Sequence, residues 1–133
     1  MATILISGAN KGLGFETARQ LVAAGHKVYA GARDAQRGRT AADELGAIFI
    51  QLDVTDDASV QAAAEKVEAD GGLDVLINNA GIEPRQGDGG FIPVSEVTAD
   101  LARRVFDTNV FGQIRMLHAF LPLLERSAAP VVV

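Results

Sequence analysis

The chain has 133 residues, 48% of them hydrophobic, which suits about one domain. A formal charge of −5 argues against nucleic acid or an anionic membrane surface as a partner. No cysteine is present, so disulfides and thiolate metal sites are excluded, and two isolated histidines, His26 and His118, argue against zinc.

The first apolar run lacks a basic stretch before it and is too short for a signal peptide or a membrane span, so the expectation is a soluble, cytoplasmic protein. Residues 3–7 read as a short buried strand rich in β-branched side chains. Ser7-Gly8-Ala9-Asn10-Lys11-Gly12-Leu13-Gly14 follows and runs into a helix over 13–24. Phe15, Ala18, Leu21 and Val22 share one face of that helix, and Gly25 sits just past its end. Residues 27–32 form the second strand, 35–45 a helix stopped by Gly46, and 47–52 the third strand. Asp53-Val54-Thr55 leads into a helix over 56–69, with Asp56 and Asp57 in its first turn, where the dipole favours negative charge. Gly71-Gly72 ends it, and a fourth strand covers 73–78.

Asn78-Asn79-Ala80-Gly81 then opens an irregular stretch, 82–97. Thr98 reads as the N-cap of a long helix reaching about Arg126. Phe106, Val110, Ile114, Leu117, Leu121 and Leu124 repeat at helical spacing, while Val105, Phe111, Met116, Phe120 and Leu123 fall elsewhere around the cylinder. Such a helix is expected to be buried on more than one side and bent at Pro122. A fifth strand begins at Pro130-Val131-Val132-Val133. Apolar strands alternating with helices predict an α/β fold: a doubly wound parallel sheet, five strands of it present, with its ligand at the carboxyl ends of the strands.

The glycine segment has the spacing GxxxGxG. Gly8 permits the tight turn, Gly12 lets the backbone approach a pyrophosphate, and Gly14 lets the helix pack closely; the helix start offers free N–H groups to an anion. A plain glycine-rich turn is the competing reading. Arg33, 19 residues after Gly14, lies at the end of the second strand, where an arginine accommodates a ribose 2′-phosphate and an acid would bind the 2′-hydroxyl. Lys11 adds a second cation, so the pair points to NADP rather than NAD, against the alternative of a solvated Arg33. Asp34 is read as pointing elsewhere. Asp53 is placed to accept from an adenine amino group, to cap the next helix, or both. Asn79, Ala80 and Gly81 allow close backbone approach, although turn chemistry alone also explains them. Asn109 sits among apolar neighbours inside the long helix, where a buried amide needs partners.

Together these residues resemble the short-chain dehydrogenase/reductase family. The resemblance covers the whole chain through four motifs in order: Ser7 to Gly14, with Ser7 where the family usually has Thr, Asp53-Val54, Asn78-Asn79-Ala80-Gly81 and Asn109-Val110. Asn10-Lys11-Gly12 with Ala32-Arg33-Asp34 is most similar to the NADPH-dependent carbonyl reductases. The resemblance implies a Rossmann fold in which Gly8, Asn10, Lys11, Gly12, Leu13 and Gly14 hold the pyrophosphate and adenosine ribose. Arg33 and Lys11 would hold the 2′-phosphate, Asp53 and Val54 the adenine, and Asn79, Ala80 and Gly81 the middle of the cofactor. Asn109 matches the catalytic helix asparagine that supports a proton relay to the family's lysine.

The family also uses a Ser, a Tyr and a Lys four residues after the Tyr, all beyond the fifth strand. This chain's only tyrosine is Tyr29, and no lysine follows Lys66. The expectation is therefore the amino-terminal half of an NADP(H)-dependent carbonyl/alcohol oxidoreductase, inactive by itself, acting on a small molecule and associating with itself through the helix over 98–126. The alternative is a non-catalytic nucleotide-binding or regulatory module. A methyltransferase on a similar sheet would leave Lys11 and Arg33 with no phosphate to meet.

Overall fold

A computed structural model describes residues 1–133. The strands are β1 (Thr3–Ile6), β2 (Lys27–Ala32), β3 (Ile48–Gln51), β4 (Val75–Ile77) and β5 (Val131–Val132). They form one parallel sheet in the order β3-β2-β1-β4-β5, with Leu5 registered between Tyr29 and Leu76. Because side chains alternate across a strand, one apolar run feeds two cores. Leu5, Tyr29, Ile50 and Leu76 face a core completed by α3 (Asp57–Ala69) and by Met116, Phe120, Leu123 and Leu124 of α5 (Gly112–Leu124). Ile4, Ile6, Val28 and Ala30 face the other, under α1 (Gly12–Ala23) and α2 (Ala35–Leu45). The doubly wound reading is thereby met, and strand and helix ends fall within two residues of those predicted. No helix is long and apolar enough to cross a membrane.

Three expectations change. The helix predicted over 98–126 starts at Thr98, whose hydroxyl accepts from Leu101 N–H, but it is not uniform. It runs as α4 (Ala99–Phe106), a π-turn over Asp107–Phe111, and α5, with Pro122 in the last turn. Burial on more than one side, expected from the apolar circumference, is not met within this chain: of the first stripe only Leu124 is buried. Phe106 is 53% exposed and Ile114 57%, and Val110, Leu117 and Leu121 are exposed with them, whereas Met116 and Phe120 are fully buried. Spacing locates an apolar stripe but cannot say which of two stripes meets the sheet. Finally, Asp53 does not cap α3. Asp56 does, accepting from Ala58 N–H, while Asp53 Oδ1 accepts from the N–H and hydroxyl of Thr55 two residues on.

The amino ends of the strands are tied by Asp74. Its carboxylate accepts from Thr3 N–H at 2.8 Å and from the Ser127 hydroxyl at 2.6 Å, joining β1, β4 and the turn before β5. The Ser127 bond, then the Thr3 bond, hold its pKa below the usual aspartate value. A depressed folded pKa stabilises the fold above the unfolded value of about 3.9, and that contribution disappears as pH falls through the folded value. Asp74→Ala is expected to cost about 1–3 kcal/mol at pH 7 by stranding these donors. The gap in melting temperature between the two proteins should narrow below about pH 4, as thermal melts across pH would show.

Candidate cofactor site

The first loop is built by chain chemistry at the carboxyl ends of β1 and β4. Gly8 and Gly12 have φ of +65° and +60°, the left-handed region that L side chains rarely adopt. Ser7 is buried, and its Oγ accepts from the N–H groups of Asn79 and Ala80. Asn79 replies by donating Nδ2 to the carbonyls of Ser7 and Gly8, both at 3.1 Å. Gly14 lies beneath this latch: a Cβ there would fall on Asn79 Nδ2 and 2.6 Å from Gly8 O. Gly14 therefore serves the close approach of α1 to the backbone just past β1, as the glycine spacing suggests, and also leaves room for the latch with Asn79.

The latch leaves a cleft of about 450 Å³ along the strand ends. Its walls bring together Gly8, Asn10, Lys11, Gly12, Leu13, Arg33, Asp53, Val54, Asn79, Ala80 and Gly81, residues that the sequence spreads over the four connections that follow β1, β2, β3 and β4. Gly14 and Asn109 are the two candidates outside its walls. Leu52, Thr55, Ile82 and Thr108 also line it and were not singled out from sequence. Each adjoins a recognised motif, and that adjacency was the available signal. Lys11 and Arg33 take part in none of the chain's ion pairs. Asp34, by contrast, caps α2, with Oδ1 accepting from Arg37 N–H.

Asn109 stands one shell back. Its Oδ1 accepts from Ile82 N–H at 2.8 Å and its Nδ2 donates to Ile82 O at 2.9 Å. Both halves of the amide are thus spent on the start of the 82–97 segment. Within that segment residues 85–91 fold back on themselves through a single antiparallel bridge, in which Arg85 pairs with Phe91 and stacks 4.0 Å above its ring. Behind it a second hollow, of about 500 Å³, is walled by Pro84, Phe91, Ile92, Val97 and Phe106, and shares Ile82 with the first. Asn78 Oδ1 is buried with no partner. Tyr29 is excluded from this chemistry: it is fully buried, burial raises its pKa, and its hydroxyl donates to Asp70, which follows α3 at the opposite ends of the strands.

The sequence pattern of the short chain dehydrogenases matches residues 2–133. This chain belongs to the short-chain dehydrogenase family. A (+)-neomenthol dehydrogenase from Arabidopsis thaliana is 36% identical across 97% of the chain and 51% of its own length. A short-chain dehydrogenase from Penicillium roqueforti is 41% identical across 93% and 50%. Among solved structures, the menthone neomenthol reductase from Mentha piperita superposes with a TM-score of 0.89 at 29% identity, over 98% of this chain and 58% of that one. The chain spans about half the length of the curated relatives it matches. Members of this family are oxidoreductases that bind a nicotinamide cofactor and act on small molecules.

Proposed function

We propose that this chain is the cofactor-binding half of an NADP(H)-dependent oxidoreductase that interconverts a carbonyl and an alcohol. The observation that carries the reading is the pair of cations outside every ion pair, Lys11 and Arg33, lining one cleft with two left-handed glycines. A diphosphate fits the glycine turn and the start of α1, where N–H groups point outward. A 2′-phosphate fits Arg33, whose guanidinium takes part in no ion pair within the chain, while one carboxylate oxygen of the neighbouring Asp34 is held by its helix cap. Asp53 engages Thr55 through Oδ1, which leaves Oδ2 for an adenine amino group beside Val54. Asn79, Ala80 and Gly81 would flank the middle of the cofactor.

The cofactor, when bound, supplies or accepts the hydride. This chain's residues bind and orient it, and through Asn109 they hold the segment beginning at Ile82 against the cleft. Asn109 would support the proton relay to a lysine outside residues 1–133. The apolar hollow beside Ile82 suits a small uncharged alcohol or the corresponding ketone, in keeping with the neomenthol named for one relative. The exposed stripe of Phe106, Val110, Ile114, Leu117 and Leu121 suits a second copy of the chain.

Fluorescence titration tests the binding half of this reading. NADPH should saturate the protein expressed from its full reading frame at least about tenfold more tightly than NADH, as one charge-assisted contact implies. NADPH oxidation with a ketone then separates an enzyme from a binding module: tight binding without turnover favours the module. Equal affinity for the two nucleotides would remove NADP from the assignment.

A further inference from the structure

Neither the cofactor cleft nor the core accounts for Arg115. It sits on α5 with its side chain 25% exposed, yet its guanidinium is committed inside the chain. Nη2 donates to Asp107 Oδ1 at 2.7 Å, and Nη1 donates to the carbonyls of Asp107 at 3.2 Å and Val54 at 3.1 Å. Nε donates to Asp57 Oδ1 at 3.0 Å. Four acceptors on three elements are more than a surface ion pair supplies.

The place of these acceptors matters more than their number. Asp107 opens the π-turn, and its carbonyl accepts from Gly112 N–H, five residues on, instead of from the fourth. Arg115 gives that displaced carbonyl a second donor. Gly112 in turn lies so close to Val54 that a Cβ would come within 2.7 Å of its methyl group. The turn is therefore keyed to the wall of the cleft, and Asn109 sits at its middle. Met116 and Phe120 fix the rotation of α5 from the core side. If the turn relaxed to ordinary helix, the residues before it would shift relative to those anchors by up to one residue, or about 100°. Asn109 would then lose its paired bonds to Ile82.

We propose that Arg115 is the positioning residue for Asn109: it holds the π-turn open at Asp107 and locks that turn to Val54 on the cleft wall. The inference rests on the role given to Asn109 above. Its test uses Arg115→Met, Arg115→Lys, Asn109→Ala and the Asn109→Ala/Arg115→Met double variant, each in the protein expressed from its full reading frame. Arg115→Met should lower kcat about tenfold or more through misplacement, with a smaller change in the KM for NADPH. Arg115→Lys should not rescue it, since an ammonium cannot span these acceptors. The double variant should be no slower than Asn109→Ala alone, because the two residues act as one unit. Hydrogen exchange at Ile82 N–H should quicken in Arg115→Met while the core amides of β1 stay protected.

Losses that add in the double variant overturn the proposal, as does full activity in Arg115→Lys. If Asn109→Ala leaves kcat unchanged, the relay role of Asn109 falls instead. The exchange rate at Ile82 then decides alone, and an unchanged rate in Arg115→Met overturns the positioning role.

Discussion

Gly14→Ala is expected to unlatch the cofactor cleft, with losses in both stability and nucleotide affinity. A methyl group at this position would occupy the space of Asn79 Nδ2 and press on the Gly8 carbonyl. Asn79 must then leave, and its two bonds to the first loop go with it. Overpacking and the stranded carbonyls together should cost about 2–4 kcal/mol. NADPH affinity should fall by about a hundredfold or more, because both walls of the cleft move. Gly12→Ala is the informative partner. Nothing lies within 4 Å of its would-be Cβ, so its structural penalty is the left-handed backbone alone, about 1 kcal/mol. Its methyl group would stand where a phosphate must approach, so affinity should drop with little loss of melting temperature. Thermal melts and NADPH titrations of the two variants separate these effects. Equal stability losses, or a Gly14→Ala protein that binds as tightly as wild type, would count against the latch.

That contrast also shows what could be read from the residues in order. Strands were legible because each is a short apolar run bounded by glycine or by a polar helix start, as at Ile4-Leu5-Ile6 and Val75-Leu76-Ile77. Most of the cleft was legible because its residues cluster in motifs at strand ends, and a parallel sheet sends all those ends to one side. The parts that Gly14 and Ser7 play in the latch were not, since both depend on Asn79, more than sixty residues away. The π-turn was hidden for a similar reason. Asp107 to Val110 are weak helix formers, which does not by itself predict a π-turn; the other half of the arrangement is Val54, which meets Gly112 and Arg115 of α5 from across the fold. Two apolar stripes on one helix pose the same difficulty: the chosen face is set by the sheet beneath, which local spacing does not contain.

Arg33→Ala should change which nucleotide the cleft prefers. A guanidinium on a dianionic phosphate makes charge-assisted bonds, and losing them costs about 1.5–3 kcal/mol, or roughly tenfold to a hundredfold in NADPH affinity. NADH carries no 2′-phosphate, so its affinity should stay within about twofold. Lys11→Ala should act on both nucleotides but unequally. As the second cation expected at the 2′-phosphate it should weaken NADPH more than NADH, and its place within the glycine loop, next to the expected diphosphate, should make NADH affinity fall as well. The pH dependence adds an independent check. A phosphate monoester takes up its second proton near pH 6, so the wild-type preference for NADPH should decline as pH falls below that value. In Arg33→Ala there is little preference left to lose, and the NADPH/NADH ratio should be nearly flat with pH. Asp34 spends Oδ1 on the cap of α2 and gains no new partner in the variant, so the expected result is loss of the NADPH preference, with no gain in NADH affinity. Parallel titrations with both nucleotides at pH 5.5 and 8 measure all of these quantities. A wild-type protein with no NADPH preference at pH 8, or an Arg33→Ala protein that keeps it, would show that the 2′-phosphate is held elsewhere.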